Sequence, residues 1–146
     1  MARRPAALLS EEIAFVEDYL GVARERYENP LSFEYRGTAE LLSVAVPPLL
    51  LQPLVENSLK HGCAPGVEAL HLALEARREG SWLTLVFSDD GAVGVNGAPG
   101  LGVGLQNLEQ RVRRFAGADA SMTAAPVSSG GFAVQLRWRV SSEAAA

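Results

Sequence analysis

Residues 47–62, "PPLLLQPLVENSLKHG", pass from two prolines through a leucine-rich run into a cluster of glutamate, asparagine, lysine and histidine. On a helix turning by about 100° per residue, Gln52, Pro53, Glu56, Asn57, Lys60 and His61 fall on one half. Leu51, Leu54, Val55, Ser58 and Leu59 fall on the other. The apolar half is suited to packing on a sheet, and the opposite half collects a carboxylate, an amide, an ammonium and an imidazole. Proline is tolerated in a first helical turn, so Pro47-Pro48 is expected to restart the chain as a helix. On these residues alone two readings stay open: a solvated helix face with Glu56 and Lys60 as an i, i+4 ion pair, or a grip for a metal and a phosphate. For the second, the Asn57 amide oxygen is a hard donor of the kind Mg²⁺ prefers, and Lys60 supplies a point charge.

A second stretch bears on that choice. "SDDGAVGVNGAPGLGVGLQN", 88–107, places an acidic pair at the end of a strand and Gly100, Gly102 and Gly104 at the start of a helix. Glycines permit positive φ and close backbone approach, and a helix N-terminus offers unpaired N–H groups to an anion. From Asp89 to Gly104 the chain has six glycines and one proline, so a long loop is expected there. It is not a P-loop, because no Gly-Lys-Ser/Thr follows, and it lacks the early βαβ setting of a dinucleotide fold. Asp89 is placed to accept a hydrogen bond from an exocyclic amine, or to cap its own turn.

The elements around these two stretches follow from periodicity. "SEEIAFVEDYLGVARERYE", 10–28, spaces Ile13, Val16, Tyr19, Leu20 and Val22 as an amphipathic leading helix, with Ser10 as N-cap and Asn29-Pro30 as its end. "LSFEYRG" alternates as a strand, and "ELLSVAV" is compatible with another short one. "VEALHLALEARRE" and "SWLTLVFSD" alternate with period two about a Glu79-Gly80 turn and predict an antiparallel hairpin. "GLQNLEQRVRRFAG" gathers Leu105, Leu108, Val112 and Phe115 on one helical face and stops at Gly117. "ASMTAAPV" and "GFAVQLRWRV" form a closing pair of strands, and 141–146 are expected to fray. The order predicts one α/β domain over 1–146, a two-layer sandwich of one mixed sheet with helices on one face.

Composition narrows the partners. Hydrophobic residues are 48% and charged residues 21% of the 146, as in a globular chain of single-domain size. A net charge of −4 argues against a nucleic-acid or membrane-surface partner, although basic residues gather at Arg111, Arg113 and Arg114. One cysteine, Cys63, forms no internal disulfide, which favours a reducing, cytoplasmic setting. No stretch approaches the ~18 apolar residues of a membrane span.

Taken together, the motifs resemble a known family. "PPLLLQPLVENSLKHG" resembles the N box of LytS-type sensor histidine kinases, "SDDGAVG" their first glycine box, and "GLGVGLQNLEQRVRRFAG" their second glycine box with its following helix. "LLSEEIAFVEDYLGVARERY" is similar to the helix that precedes this domain. The resemblance implies the Bergerat-type ATP-binding fold shared with type II topoisomerases, mismatch-repair ATPases and heat-shock chaperones. It implies ATP and Mg²⁺ as cofactors, with Asn57 as metal ligand, Lys60 on phosphate, His61 beside the nucleoside, Asp89 and Gly91 at adenine, and Gly100, Gly102, Gly104 and Leu105 as the lid-side cradle. Glu56 would orient a metal-bound water or support Lys60.

The family's activity is transfer of the ATP γ-phosphoryl group to a histidine. The resemblance places that histidine on a helical segment before residue 1, so His61 and His71 are not expected to accept phosphate; His71 reads as an ordinary core or surface histidine. The implied partners are that phosphoacceptor segment and a downstream response regulator, in a dimeric parent protein that is either membrane-anchored or free in the cytoplasm. Two departures are visible. The usual first box, Asp-Asn-Gly-x-Gly, is here Asp89-Asp90-Gly91-Ala92-Val93, and valine resists positive φ; adenine binding is then weakened unless Gly94 compensates. Pro53 occupies the position of the general-base glutamate of related ATPases, which disfavours hydrolysis. Alternatives of the same fold are a degenerate, non-catalytic interaction module, an anti-sigma-factor-type serine kinase and a stand-alone ATPase.

Overall fold

The computed structural model describes residues 6–28, 30–62, 68–91, 103–128 and 130–140, without the side chains of His61, Gly62 and Val103. The expected fraying of 141–146 and most of the glycine loop lie outside these residues. In chain order the elements are β1 (Ala7–Leu8), α1 (Leu9–Ala23), β2 (Leu31–Arg36), a 3-10 turn (Glu40–Ser43), β3 (Ala45–Val46), α2 (Gln52–Gly62), β4 (Leu70–Glu79), β5 (Trp82–Asp89), α3 (Val103–Ala116), β6 (Ser121–Pro126) and β7 (Phe132–Arg139).

Five strands form one sheet in the order β2-β4-β5-β7-β6, parallel between β2 and β4 and antiparallel elsewhere. Registers align the alternating apolar residues of each strand into one face. Tyr35, Leu74 and Phe87 continue across into Val134 and Ala124, and Leu85 into Leu136 and Met122. Leu70, Leu74, Leu83, Leu85 and Leu136 on this face are fully buried. Above them lie Val16 and Leu20 of α1, Leu54, Val55 and Leu59 of α2, and Leu108 and Val112 of α3, all in one core cluster. The other face carries exposed polar residues, and there Trp82 lies under the guanidinium groups of Arg137, at 4.1 Å, and Arg139, at 4.9 Å. The expected two-layer sandwich with a mixed sheet and helices on one face is the observed architecture.

Several boundaries differ from expectation. Leu8, not Ser10, is the N-cap of α1; with no hydroxyl there to accept a first-turn N–H, only the return half of a capping box is made by a side chain, the Leu8 N–H donating to Glu11 Oε1 at 2.9 Å. The helix ends at Ala23, not at residue 28, because the next turn tightens: Glu25 N–H donates to Val22 O and Arg26 N–H to Ala23 O. Arg24 then donates through Nε and Nη2 to Leu31 O, tying this turn to the start of β2. Val22 is 67% exposed rather than core-facing, since the buried stripe is Leu9, Glu12, Val16, Leu20 and Ala23.

"ELLSVAV" divides into the 3-10 turn and β3, which pairs with β1 in a separate two-stranded ladder. Pro47 and Pro48 do not start α2; the chain first turns through Leu49, at φ 59°, and the proline of the first helical turn is Pro53. The β4–β5 turn is Gly80-Ser81, one residue later than Glu79-Gly80, with Gly80 at φ 61° as a two-residue hairpin requires. The Gly117 stop of α3 is as expected, with φ 106° and its N–H donating to Arg113 O at 2.8 Å.

The central strand gives a direct test of this core. Leu85→Ala empties a fully buried site between β4, β7 and the helices, and should lower unfolding free energy in urea by about 2–5 kcal/mol with little change in m-value.

Candidate functional site

The site is built where the helix layer meets the C-terminal end of β5. Asp89 is the last residue of that strand, and alternation turns its side chain to the helix-covered face, where it is 7% exposed. Ser58 of α2, 3% exposed, donates its Oγ–H to Asp89 Oδ2 at 2.7 Å. Gly91 N–H donates to Asp89 Oδ1 at 3.0 Å. Burial raises the Asp89 pKa above its ordinary value; the bonds from Ser58, Gly91 and the Phe132 backbone N–H pull it down and the neighbouring Asp90 charge raises it further, for a net increase. The result is a desolvated carboxylate held at both oxygens, with lone pairs left for a further donor.

The residue after it has a different task. Asp90 accepts the His71 backbone N–H at 2.8 Å and bonds His71 Nδ1 at 2.8 Å, while its own N–H donates to His71 O at 3.2 Å. Burial would raise its pKa, but the bonds and charge of His71 outweigh that and lower it. Asp90 therefore stitches the end of β5 to β4 on the open side of the sheet. His71 is a surface histidine, as expected, and supplies the partner that makes an acid suitable at position 90.

On α2 the polar half is distributed between two places. Asn57 is half-buried, and its amide forms no hydrogen bond within the described residues. Glu56 accepts from Gln52 Nε2 at 3.0 Å, and the i, i+4 ion pair with Lys60, one of the two open readings of this face, does not form among the described residues. Glu56, Leu59 and Lys60 line a groove of about 540 Å³ against Tyr19 and Val22 of α1 and Arg26 of the turn after it. There the Tyr19 phenol is raised first by burial and then by the Glu56 carboxylate. His61 continues α2, and its side chain falls outside the described part.

Of the two glycine boxes, Gly91 of the first and Gly104 of the second are described, whereas Val93, Gly100 and Gly102 lie outside the described residues. Gly104 is exposed in the first turn of α3, with open space where a Cβ would stand. Leu105 is 4% exposed and belongs to the core, so what it can present to an anion is its first-turn backbone N–H. Among the described residues no three His, Cys, Asp or Glu side chains cluster as a metal cage. A single amide ligand such as Asn57 suits Mg²⁺, which commonly takes few protein ligands and completes its shell with water and phosphate.

Two contributors carry no motif signal. Ser58 lies on the apolar half of α2 and reads as filler, yet it bonds Asp89. Gly131 has φ 93°, and a Cβ there would stand 1.9 Å from the Asp89 carbonyl oxygen. Only its place in a Ser-Gly turn was visible in the sequence.

No protein-family model matches the chain. The sensor histidine kinase BtsS of Escherichia coli is 33% identical over 143 residues, which cover 94% of this chain and 25% of BtsS. The sensor protein LytS of Staphylococcus epidermidis is 26% identical over 141 residues, covering 88% and 24%. This chain is a homologue of LytS-type sensor histidine kinases. It spans about a quarter of the length of these relatives. Its fold is that of histidine-kinase catalytic domains. The catalytic domain of histidine kinase ThkA superposes with TM-score 0.65 at 12% identity, over 94% of this chain and 97% of that one. The kinase domain of the Erythrobacter litoralis blue-light activated histidine kinase gives 0.68 at 14% identity, over 99% and 68%.

Two measurements test the site. Gly131→Ala should lower stability in urea by at least ~1–3 kcal/mol through overpacking, and by more than Gly130→Ala, where φ is also positive but no atom lies within 4 Å of the added Cβ. Equal losses would contradict the close approach to Asp89. Because the folded pKa of Asp89 is raised, the stability it contributes is full below the ordinary 3.8 and is lost as pH rises through the folded value. The melting temperature of Asp89→Asn relative to wild type should therefore rise across that window and level off above it.

Proposed function

We propose that this chain is the ATP-binding catalytic domain of a two-component sensor histidine kinase, transferring the γ-phosphoryl group of ATP to a histidine outside residues 1–146. The observation that carries the reading is the buried Asp89 carboxylate, anchored at both oxygens by Ser58 and Gly91, with Ser58 next in the chain to Asn57, whose amide forms no hydrogen bond within the described residues. A desolvated carboxylate is a strong acceptor for the exocyclic amine of adenine, whereas the carbonyl of guanine would leave it unpaired. Gly91 lets the chain leave β5 without a side chain against the base. The first turn of α3, at Gly104 and Leu105, offers N–H groups and a positive helix end to phosphate, with Gly100 and Gly102 extending the cradle and His61 beside the nucleoside.

Asn57 is the residue suited to Mg²⁺, which when bound neutralises phosphate charge. Lys60 adds a mobile positive charge for phosphate, and Glu56 supports it or orients water. Phosphoryl transfer needs little covalent chemistry from the protein, so positioning and charge neutralisation account for the catalysis. Pro53 cannot act as a base for water, which favours transfer over hydrolysis.

The two histidines of the chain do not serve as acceptor in this reading: His71 is held by Asp90, and His61 belongs to the site. The partners are a phosphoacceptor histidine segment and a response regulator, in a dimeric parent whose catalytic domain works in the cytoplasm. Among the described residues no helix is long and apolar enough to cross a membrane.

Titration calorimetry of the folded chain with Mg-ATP and Mg-ADP is expected to show binding without autophosphorylation. Asp89→Asn should weaken both by about tenfold or more, the worth of a charged hydrogen bond. Lys60→Ala should weaken ATP and ADP while leaving adenosine unaffected. Absence of any binding by the folded protein at millimolar nucleotide would overturn the reading.

A further inference from the structure

The turn that leads into α2 is held in an unfavourable shape from outside itself. Leu49, at φ 59°, is the only non-glycine residue with positive φ among the described residues. A leucine there crowds its own Cβ against the following carbonyl. Its side chain is 51% exposed, so burial does not compensate. The compensation comes from two helices distant in sequence. Glu12 of α1, only 6% exposed, accepts the Leu49 N–H at Oε2 (2.9 Å) and the Leu51 N–H at Oε1 (3.0 Å). Arg111 of α3 donates Nη1 to Pro48 O (2.8 Å) and Nη2 to Leu49 O (2.9 Å).

A carboxylate thus takes two N–H groups of the turn while a guanidinium takes two of its carbonyls, and Leu49 is gripped at both its N–H and its C=O. The Leu51 carbonyl accepts the Val55 N–H at 2.9 Å, so Leu51 is the residue from which α2 springs. The Glu12 charge also lies at the positive end of that helix. Glu12 and Asp89 are the two buried carboxylates among the described residues, and Glu12 has no part in the nucleotide site proposed above.

We infer that Glu12 and Arg111 are positioning residues that lock the Leu49 turn and thereby set the placement of α2, on which Asn57 and Ser58 sit within two turns of its start. The functional consequence rests on the nucleotide reading of α2; the lock itself rests on the geometry of the turn. Since α1 and α3 both hold Leu49, displacement of either helix reaches Asn57 through one fixed point.

The test is Glu12→Gln in the whole chain, followed by amide NMR and by Mg-ADP titration. Glutamine leaves one acceptor oxygen in place of two and turns an NH₂ group toward an N–H donor. Without ligand, the Leu49 and Leu51 amides should lose hydrogen-exchange protection and the Asn57 and Ser58 amides should shift; Mg-ADP affinity should fall about tenfold, as loss of a charged hydrogen bond implies. Adding Leu49→Gly, which adopts positive φ without strain, should return the Asn57 and Ser58 resonances and the affinity toward wild type.

A Glu12→Gln protein that melts earlier yet leaves those resonances and the affinity unchanged would overturn the inference. So would failure of Leu49→Gly to restore either, because a role in packing alone would not be relieved at residue 49. If Glu12→Gln does not fold, Arg111→Lys, which cannot make both bonds, carries the same comparison from α3. If the wild-type chain binds no Mg-ADP while the resonances move and are restored as described, the nucleotide reading falls and the lock stands.

Discussion

The hydrogen bond from Ser58 to Asp89 joins the helix layer to the sheet at a carboxylate buried between them. An ionised carboxylate under a helix is tolerable only if its oxygens are satisfied. Here one oxygen is met by the helix layer and the other by the chain leaving β5. The placement of α2 is therefore not a matter of apolar packing alone. Leu54, Val55 and Leu59 hold the helix down on the sheet, but nonpolar contacts tolerate sliding and rotation better than a 2.7 Å bond to a fixed carboxylate does. The pairing of Asp89 with Phe132 of β7 brings the preceding residue against the Asp89 backbone, which explains a glycine at 131.

Consecutive acids at the end of β5 show how alternation divides labour. Asp89 faces the helices and is pushed toward its neutral form by burial, whereas Asp90 faces the open side and is held ionised by His71. Position 90 usually carries asparagine in the first glycine box that this sequence resembles. The acid here becomes intelligible through its partner rather than through the nucleotide, since asparagine could not accept from the His71 backbone and ring with both of its polar atoms. The departure is thus local strand stitching on the side of the sheet opposite to Asp89.

The chain corresponds to about a quarter of the length of these relatives, and the nucleotide grip proposed for it lies within that quarter. That grip is dispersed along the sequence: α2, the end of β5 and the start of α3 each bring one part. Such a site depends on how three elements sit on one sheet, which makes the turn before α2 more consequential than an ordinary loop.

Much of this was legible in the linear sequence. Alternation in 70–79 and 82–89 marked the hairpin, and the leucines of α2 and α3 marked the faces that the sheet covers. The motifs around Asn57, Asp89 and Gly104 pointed to phosphate and adenine chemistry. The misreadings fell where local propensity yielded to distant partners. Ser10 yielded to Leu8 with Glu11 reaching back, and Pro47-Pro48 yielded to a turn that Glu12 and Arg111 hold. The stop at Ala23 reflects Arg24 reaching to β2. Ser58 and Gly131 carried no signal, because one acts through a residue 31 positions away and the other through space it must leave empty. The sequence by itself determined the main elements, their buried faces and the side-chain types from which the site is proposed, since these follow from periodicity and composition. Only the tertiary structure decided which carboxylate is desolvated, which is paired and how α2 is held, because those depend on hydrogen bonds between residues that periodicity cannot bring together.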